Sequence, residues 1–314
     1  MAQPRLSASA EVPPAGAASV KPPWYKNHLW WESATGYLFI TPAILYFLVF
    51  QLTGVLWGFY LSFTKYNLRT PPVWVGLQNY IDLFTDRIQY PTFYHSLWIS
   101  LKWVIMERPG AIFLPLFVAL LLNNEIKGEG LFKTLFFIPV ITPGIAMAAA
   151  WKAILDPEVG FLNLILGTNI SWLKDATFAL PTLVGMEVWG AIGGGMWIWL
   201  SALKAIPNEV YEAGAIDGAT GLRSFWHITL PLLRPTLFYM SVTGAIGSFQ
   251  VFMPMYLMTG GEPQNSTLSF GLLLYNHVKR YDAMGAALAM AFILLVIVLT
   301  VTLLQFKFFP QKTD

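Results

Sequence analysis

Six stretches of this 314-residue chain are each long and apolar enough to cross a bilayer: residues 36–63, 97–122, 131–154, 180–203, 236–258 and 285–308. A spanning helix needs about 20 mostly apolar residues, and inside the hydrocarbon every backbone N–H and C=O must be satisfied within the protein. The pattern therefore predicts an all-α membrane protein of six transmembrane helices, with residues 36–308 as the membrane domain. Pro42, Pro109, Pro139, Pro143, Pro181 and Pro254 fall within or beside these runs. Prolines in spans are tolerated where neighbouring helices or water take over the freed carbonyls, so kinked helices around a pathway are expected.

Composition agrees. Charged residues make up 11% of the chain, far below the roughly 25% of soluble domains. The 13 Trp, 13 Tyr and 23 Phe suit aromatic belts at two membrane interfaces. A net charge of +2 gives no basis for nucleic-acid binding. With no cysteine, disulfides, thiolate catalysis and Cys-ligated metals drop out together. The four histidines, His28, His95, His227 and His277, have no ligand partner at helical spacing and are read as loop or interface residues.

Residues 1–35 lack the apolar core of a signal peptide and are rich in Pro, Ala and Ser, so they are expected to form a flexible cytoplasmic tail. Trp24, Tyr25, Trp30 and Trp31 would anchor it at the interface, and 309–314 would form a short cytoplasmic C-terminus. With the N-terminus inside, ten Lys and Arg fall in inner segments, among them Lys127, Lys133, Lys204, Arg223 and Arg234, against six outside. That is a modest positive-inside bias, and it puts the loop 204–234 in the cytoplasm.

This loop carries the most specific local pattern, EAGAIDGATGLRSFWHITLP from Glu212 to Pro231. It holds no nucleophile, metal cluster or phosphate-cradling loop. Pro207 suits a first helical turn, Glu209 and Glu212 lie toward the positive end of the helix dipole, and Ala213, Gly214, Ala215 and Gly218 leave a bare face. The shape is that of a docking knob.

The spacing Glu212-Ala213-Gly214, then Gly218, then Ile228, then Leu230-Pro231 resembles the signature of the membrane subunits of binding-protein-dependent ABC importers. Gly214 stands where that family usually has Ala, at a cost to the helix of about 1 kcal/mol. The flanks KAIPNEVYEAGAIDGA and FWHITLPLLRP, with GLQNYIDLF (76–84), FFIPVITP (136–143) and TGGEPQNST (259–267), resemble the carbohydrate-uptake branch. Glu262 stands where a third Gly is common. The resemblance implies the type I ABC importer permease fold in a bacterial inner membrane. It also implies a second homologous permease, two ATPase subunits and an extracytoplasmic solute-binding protein as partners, beside membrane lipid. The loop would be the coupling helix, with Glu212, Ala213, Gly214, Asp217, Gly218, Ile228, Leu230 and Pro231 docking an ATPase. No G-x-x-x-x-G-K-[ST] occurs, so this chain is expected to be a transport subunit that binds no cofactor, ATP and Mg being used by the partner ATPases.

Charged residues in spans are functional candidates by default, because burying one costs at least about 2.5–3.5 kcal/mol. Lys102, Glu107 and Arg108 lie in the second run, Lys152 ends the third and Glu187 lies in the fourth. Glu107 and Arg108 read either as an internal ion pair or as a polar contact on a pathway. Gly193-Gly194-Gly195 is expected to loosen or break the fourth helix beside Glu187. A sugar pathway needs aromatic faces and hydrogen-bonding groups, and Glu187, Trp189, Trp197, Trp199, Gln250 and Tyr256 supply them.

Sugar or oligosaccharide import is the leading function, with import of a polyol, glycerol-phosphate or acidic oligosaccharide as the alternative. A membrane-embedded transferase would need a supported acidic cluster, and Asp82/Asp86 and Glu125/Glu129 have no such support. A secondary transporter would show internal repeats, and none is evident.

Overall fold

The computed structural model describes residues 24–124, 127–279 and 283–308, with side chains from residue 33 onward. Of the expected tail at 1–35, residues 1–23 lie outside the described residues, as do 309–314 and the anchor side chains Trp24, Tyr25, Trp30 and Trp31, while the backbone of 24–35 is helical. The chain divides into two compact units, one ending at Trp57 and one beginning at Gly58.

The first unit is helical. Helix α1 (Trp24–Tyr46) passes through a π-helical stretch (Phe47–Leu52) into α2 (Thr53–Ser62). Residues 33–62 form one apolar run of helix with Pro42 inside it.

In the second unit a two-residue antiparallel ladder joins β1 (Thr64–Lys65) to β2 (Val73–Trp74), followed by α3 (Gln78–Thr85). The GLQNY phrase finds its physical reason here. Asn79 Nδ2 donates to the carbonyls of Ser62 and Thr64 at 2.8 and 2.9 Å, and the Tyr80 hydroxyl meets Ser62 Oγ at 2.7 Å. The Ser62 carbonyl belongs to the end of α2, where backbone acceptors otherwise stay unpaired, and the Thr64 carbonyl to β1 just beyond it. Asn79 is a structural cap.

Helices α4 (Phe93–Leu122) and α8 (Ala179–Lys204) form the centre of this unit and pack on each other along their length. Between them in sequence lie α5 (Glu129–Ile141), α6 (Gly144–Ile154) and the short α7 (Phe161–Leu166). After α8 come α9 (Asn208–Ile216) and a run of α10 (Leu222–Ser224), a π-helical stretch (Phe225–Thr229) and α11 (Leu230–Leu232). Then follow α12 (Arg234–Phe249), a second such stretch (Met255–Thr259), α13 (Phe270–Lys279) and α14 (Met284–Phe308).

The all-α membrane class holds. Four of the six apolar runs become unbroken helices long enough to span: residues 33–62, 93–122, 179–204 and 284–308. The other two are interrupted. The third run bends by 105° between α5 and α6, at Thr142-Pro143. Pro143 has no N–H to continue the ladder, and it holds Thr142 in extended backbone. The fifth run stops helically at Phe249 and resumes at Met253, leaving residues 250–252 out of helix.

One expectation fails. Gly193, Gly194 and Gly195 leave α8 unbroken, because what they provide is room for neighbours. A methyl at Gly193 would overlap the Phe136 carbonyl oxygen of α5, and one at Gly195 would come within 2.7 Å of the Pro115 ring of α4. Small residues let helix backbones approach closely within a membrane.

Two apolar clusters fill the interior. One gathers Leu83, Phe93, Trp103, Leu183, Met255, Phe270 and Met290, and the other gathers Leu116, Ala119, Met196, Trp199, Leu203 and Leu233. Along α4 the first cluster ends at Trp103 and the second begins at Ile112. Along α8 the boundary falls between Met186 and Ile192. Glu107, Arg108 and Glu187 lie in this gap.

Candidate functional site

Glu107 and Arg108 sit halfway along α4, in the gap between the two apolar clusters. The Arg108 guanidinium grips Glu107 through both carboxylate oxygens, Nε to Oε2 at 2.8 Å and Nη2 to Oε1 at 2.7 Å. From α12, Ser248 Oγ donates to Glu107 Oε2 at 2.5 Å. Glu107 is only 4% exposed, so its charge depends on these three donors. A buried carboxylate without such partners is prohibitively costly. Gly244, one turn before Ser248, leaves the space in which the guanidinium lies, since a methyl there would overlap Arg108 Nη1.

These groups line a cavity of about 480 Å³ whose walls also include Trp103, Glu187, Ala191, Gly247, Gln250, Val251, Phe252 and Pro254. Of the readings left open for Glu107 and Arg108, the structure shows the internal ion pair, and the pair faces a cavity. Glu187 of α8 is exposed to that space, and among the described residues it makes no hydrogen bond or ion pair. Gln250 stands at the interruption of the fifth run, and Phe252 stacks on Tyr256 with ring planes 16° apart.

Of the pathway residues expected from sequence, the structure gathers Glu187 and Gln250 in this cavity and brings Tyr256 behind it through Phe252. It does not bring in the tryptophans. Trp189 packs edge-on against Trp151. Trp197 lines a separate cavity beside Lys133, whose ammonium lies 5.5 Å from its ring centroid. Trp199 is fully buried and donates its indole N–H to the Ile112 carbonyl at 3.1 Å, so it is a core residue. Local spacing placed all three on one helix without revealing which faces α4, α6 or the cavity. Ser248, Gly244 and Trp103 were missed from sequence. Their role arises from contact across up to 141 residues of chain, and no local pattern reports it.

Of the other charged span residues, Lys102 lies over the Trp98 ring, Lys133 pairs with Glu129 one turn away on α5, and Lys152 lines a separate cavity with Asp156, Lys174 and Glu262. The acidic pairs are structural where they can be seen. Asp82 accepts from Gln78, and Asp86 accepts the N–H groups of Ile88 and Gln89. Glu125 lies outside the described residues. No metal-competent cluster of His, Asp and Glu occurs among the described residues. His277 departs from its expected loop or interface placement. It is 6% exposed in α13 with its ring against Tyr90, and burial lowers its pKa to about 4.

The second candidate site is the loop between α8 and α12. Pro207 is the N-cap of α9, and the helix starts at Asn208. It ends in a doubly bonded cap: the Ala219 N–H reaches the Gly214 carbonyl at 2.8 Å, and the Gly218 N–H reaches Ala215 at 3.0 Å. This is the Schellman arrangement, with Gly218 at φ +76° in the position that must be left-handed. Gly214 lies beneath Ile228, the Tyr211 hydroxyl meets Thr229 Oγ1 at 3.2 Å, and Thr229 is buried. α9 is thereby stapled to the π-helical stretch that carries Ile228, and Leu230-Pro231 continue from it into α11. Glu212, Ala213, Asp217 and Gly218 remain exposed, with Ile216 at 88% and Leu222 at 79% exposure beside them.

Comparison with known proteins matches this architecture. Residues 111–313 fit the family described as "Binding-protein-dependent transport system inner membrane component". The chain is 38% identical to the probable ABC transporter permease protein YesP of Bacillus subtilis, over 88% of this chain and 90% of that protein. It is 31% identical to the arabinooligosaccharides transport system permease protein AraP of the same organism, over 94% and 95%. It is also 31% identical to the trehalose/maltose transport system permease protein MalF of Thermococcus litoralis, over 88% and 94%. A chain of a bacterial ABC transporter that imports the acidic polysaccharide alginate superposes with a TM-score of 0.77 at 20% identity, covering 91% of this chain and 100% of that one. At that identity it is the fold that is shared. By the family match and the extent of these similarities, the chain belongs to the binding-protein-dependent transport system inner membrane components.

Proposed function

We propose that this chain is a permease subunit of an ATP-driven ABC importer that moves a sugar or oligosaccharide delivered by an extracytoplasmic binding protein. The observation that carries the reading is the capped α9 knob, held rigidly against Ile228 and Thr229 while Glu212, Asp217, Ile216 and Leu222 stay exposed. In this reading the exposed Ile216 and Leu222, rimmed by Glu212 and Asp217, form the surface offered to the partner. The sugar reading rests on the relatives whose names specify arabinooligosaccharides, trehalose/maltose and multiple sugars.

In this reading α9 is the coupling helix and lies on the cytoplasmic side, with both chain termini. It seats in a groove of one of two ATPase subunits, which use ATP and Mg, while a second homologous permease completes the pathway. Rigid-body movement of the seated helix is passed to α8 and α12, which flank it in sequence and line the cavity. Shifting a two-state equilibrium from 1:99 to 99:1 takes about 5.5 kcal/mol of differential interaction, so a joint that yields would lose the coupling. The double cap at Gly218 and the contact of Gly214 with Ile228 resist such yielding.

Affinity purification of the tagged chain from its native membrane, with mass spectrometry of what co-purifies, tests the assembly. An ATPase and a second multi-span subunit are expected. A chain that emerges alone under every detergent condition overturns the reading.

A further inference from the structure

The cavity at the centre of the spans has a charge pattern that bears on which saccharides can pass. Its ionisable lining groups are Glu107, Arg108 and Glu187, two carboxyl groups to one guanidinium. Arg108 spends its Nε and Nη2 on Glu107, and Glu107 Oε2 also accepts from Ser248. Within that pair the two charges balance. Glu187 is different, because it faces the cavity and has no hydrogen bond or ion pair among the described residues. A carboxylate in a span is retained at considerable cost. Its two oxygens accept hydrogen bonds and cannot donate while ionised.

Taking the saccharide pathway proposed above as given, we infer that Glu187 is its specificity-determining residue. It accepts hydrogen bonds from vicinal hydroxyls of a neutral sugar and turns away uronic and phosphorylated sugars. Two adjacent hydroxyls match the two oxygens of one carboxylate. Phe252, backed by its stack on Tyr256, offers an apolar face to the C–H side of the ring. The Gln250 side chain adds a donor and an acceptor at the helix interruption. An acidic sugar would instead bring a second carboxylate toward Glu187, in a space where like charges are poorly screened. The one cation among the lining groups is already charge-paired with Glu107, so an acidic sugar would have to share it with that carboxylate.

The test is equilibrium binding of radiolabelled trisaccharides to the detergent-purified, fully assembled importer at pH 7.5, without its binding protein. Maltotriose and arabinotriose serve as neutral probes and trigalacturonate as the acidic one. At least one neutral probe is expected to bind ten or more times more tightly than trigalacturonate. Glu187→Gln should narrow that gap to threefold or less, while Glu187→Asp should keep it. Equal or tighter binding of trigalacturonate by the unaltered importer overturns the inference. So does a gap that Glu187→Gln leaves unchanged, or a Glu187→Gln importer that falls apart on size exclusion, which would assign Glu187 to subunit contact. If the unaltered importer binds none of the three, the pathway reading itself fails and the inference falls with it.

Discussion

Gly214 of α9 lies directly beneath the δ1 methyl of Ile228, so closely that a Cβ at position 214 would overlap it. The third residue of the EAG signature and its distant Ile are thus the two halves of one contact, and glycine at 214 is matched to the full length of the isoleucine side chain.

Gly214→Ala is therefore expected to lower transport-coupled ATPase activity of the purified importer, although Ala favours a helix by about 1 kcal/mol. Gly214→Ala combined with Ile228→Val, which removes the overlapped methyl, should recover most of that loss. Additive losses in the double variant would show that the two positions do not act through this contact.

Gly218 has φ +76°, a region that costs most L-residues about 1–2 kcal/mol and that Asn tolerates better. Coupled ATPase activity should fall in the order Gly, Asn, Ala, Trp at position 218. Membrane insertion, measured by the amount of chain recovered in the membrane fraction, should be unchanged. Normal coupling by Gly218→Trp would sink the docking-helix account.

Glu107 and Arg108 form a buried pair in which each holds the other's charge. Removing one partner should cost on the order of 3–5 kcal/mol, and replacing both with apolar residues of similar size should cost much less. Thermal unfolding of the detergent-solubilised chain should show a large loss for Glu107→Ala and a smaller one for Glu107→Leu with Arg108→Met. Gly244→Ala should resemble the single variant, because it pushes the guanidinium off its seat.

His277 is buried against Tyr90 and its pKa lies at about 4, below the ordinary 6.5, because burial disfavours the imidazolium. The unfolded chain takes up this proton first as the pH falls. The stability conferred by the neutral ring is fully present above about 6.5 and is lost as pH falls toward 4, by up to about 3 kcal/mol. Melting temperature measured between these limits should fall less steeply for His277→Phe than for the unaltered chain. Equal slopes would remove His277 from the acid response.

The membrane class, four of the spans and the helix-and-turn form of the 207–218 segment were all legible in the chain. Hydropathy acts along contiguous residues, and a bilayer responds to it directly. The Gly218 turn was equally legible, since a left-handed cap is a local demand that one residue type meets. The interruptions were less so. Pro143 announces a possible break, but the same signal at Pro109 and Pro115 leaves α4 continuous. Which proline breaks a helix depends on what lies beside it.

The cavity is where sequence reading met its limit. It showed charged residues in the second and fourth runs, and it named Glu187 and Gln250, which the structure places in one cavity. It could not show that Ser248 crosses 141 positions to reach Glu107, or that Gly244 makes room for Arg108. Nor could it turn Trp199 into the core and Trp197 away from the cavity. Insertion into the membrane is decided by hydrophobicity summed over about twenty neighbouring residues, which a sequence displays. The partner of a buried charge is decided by which helix faces turn toward each other, and only tertiary packing of α4, α8 and α12 settles that.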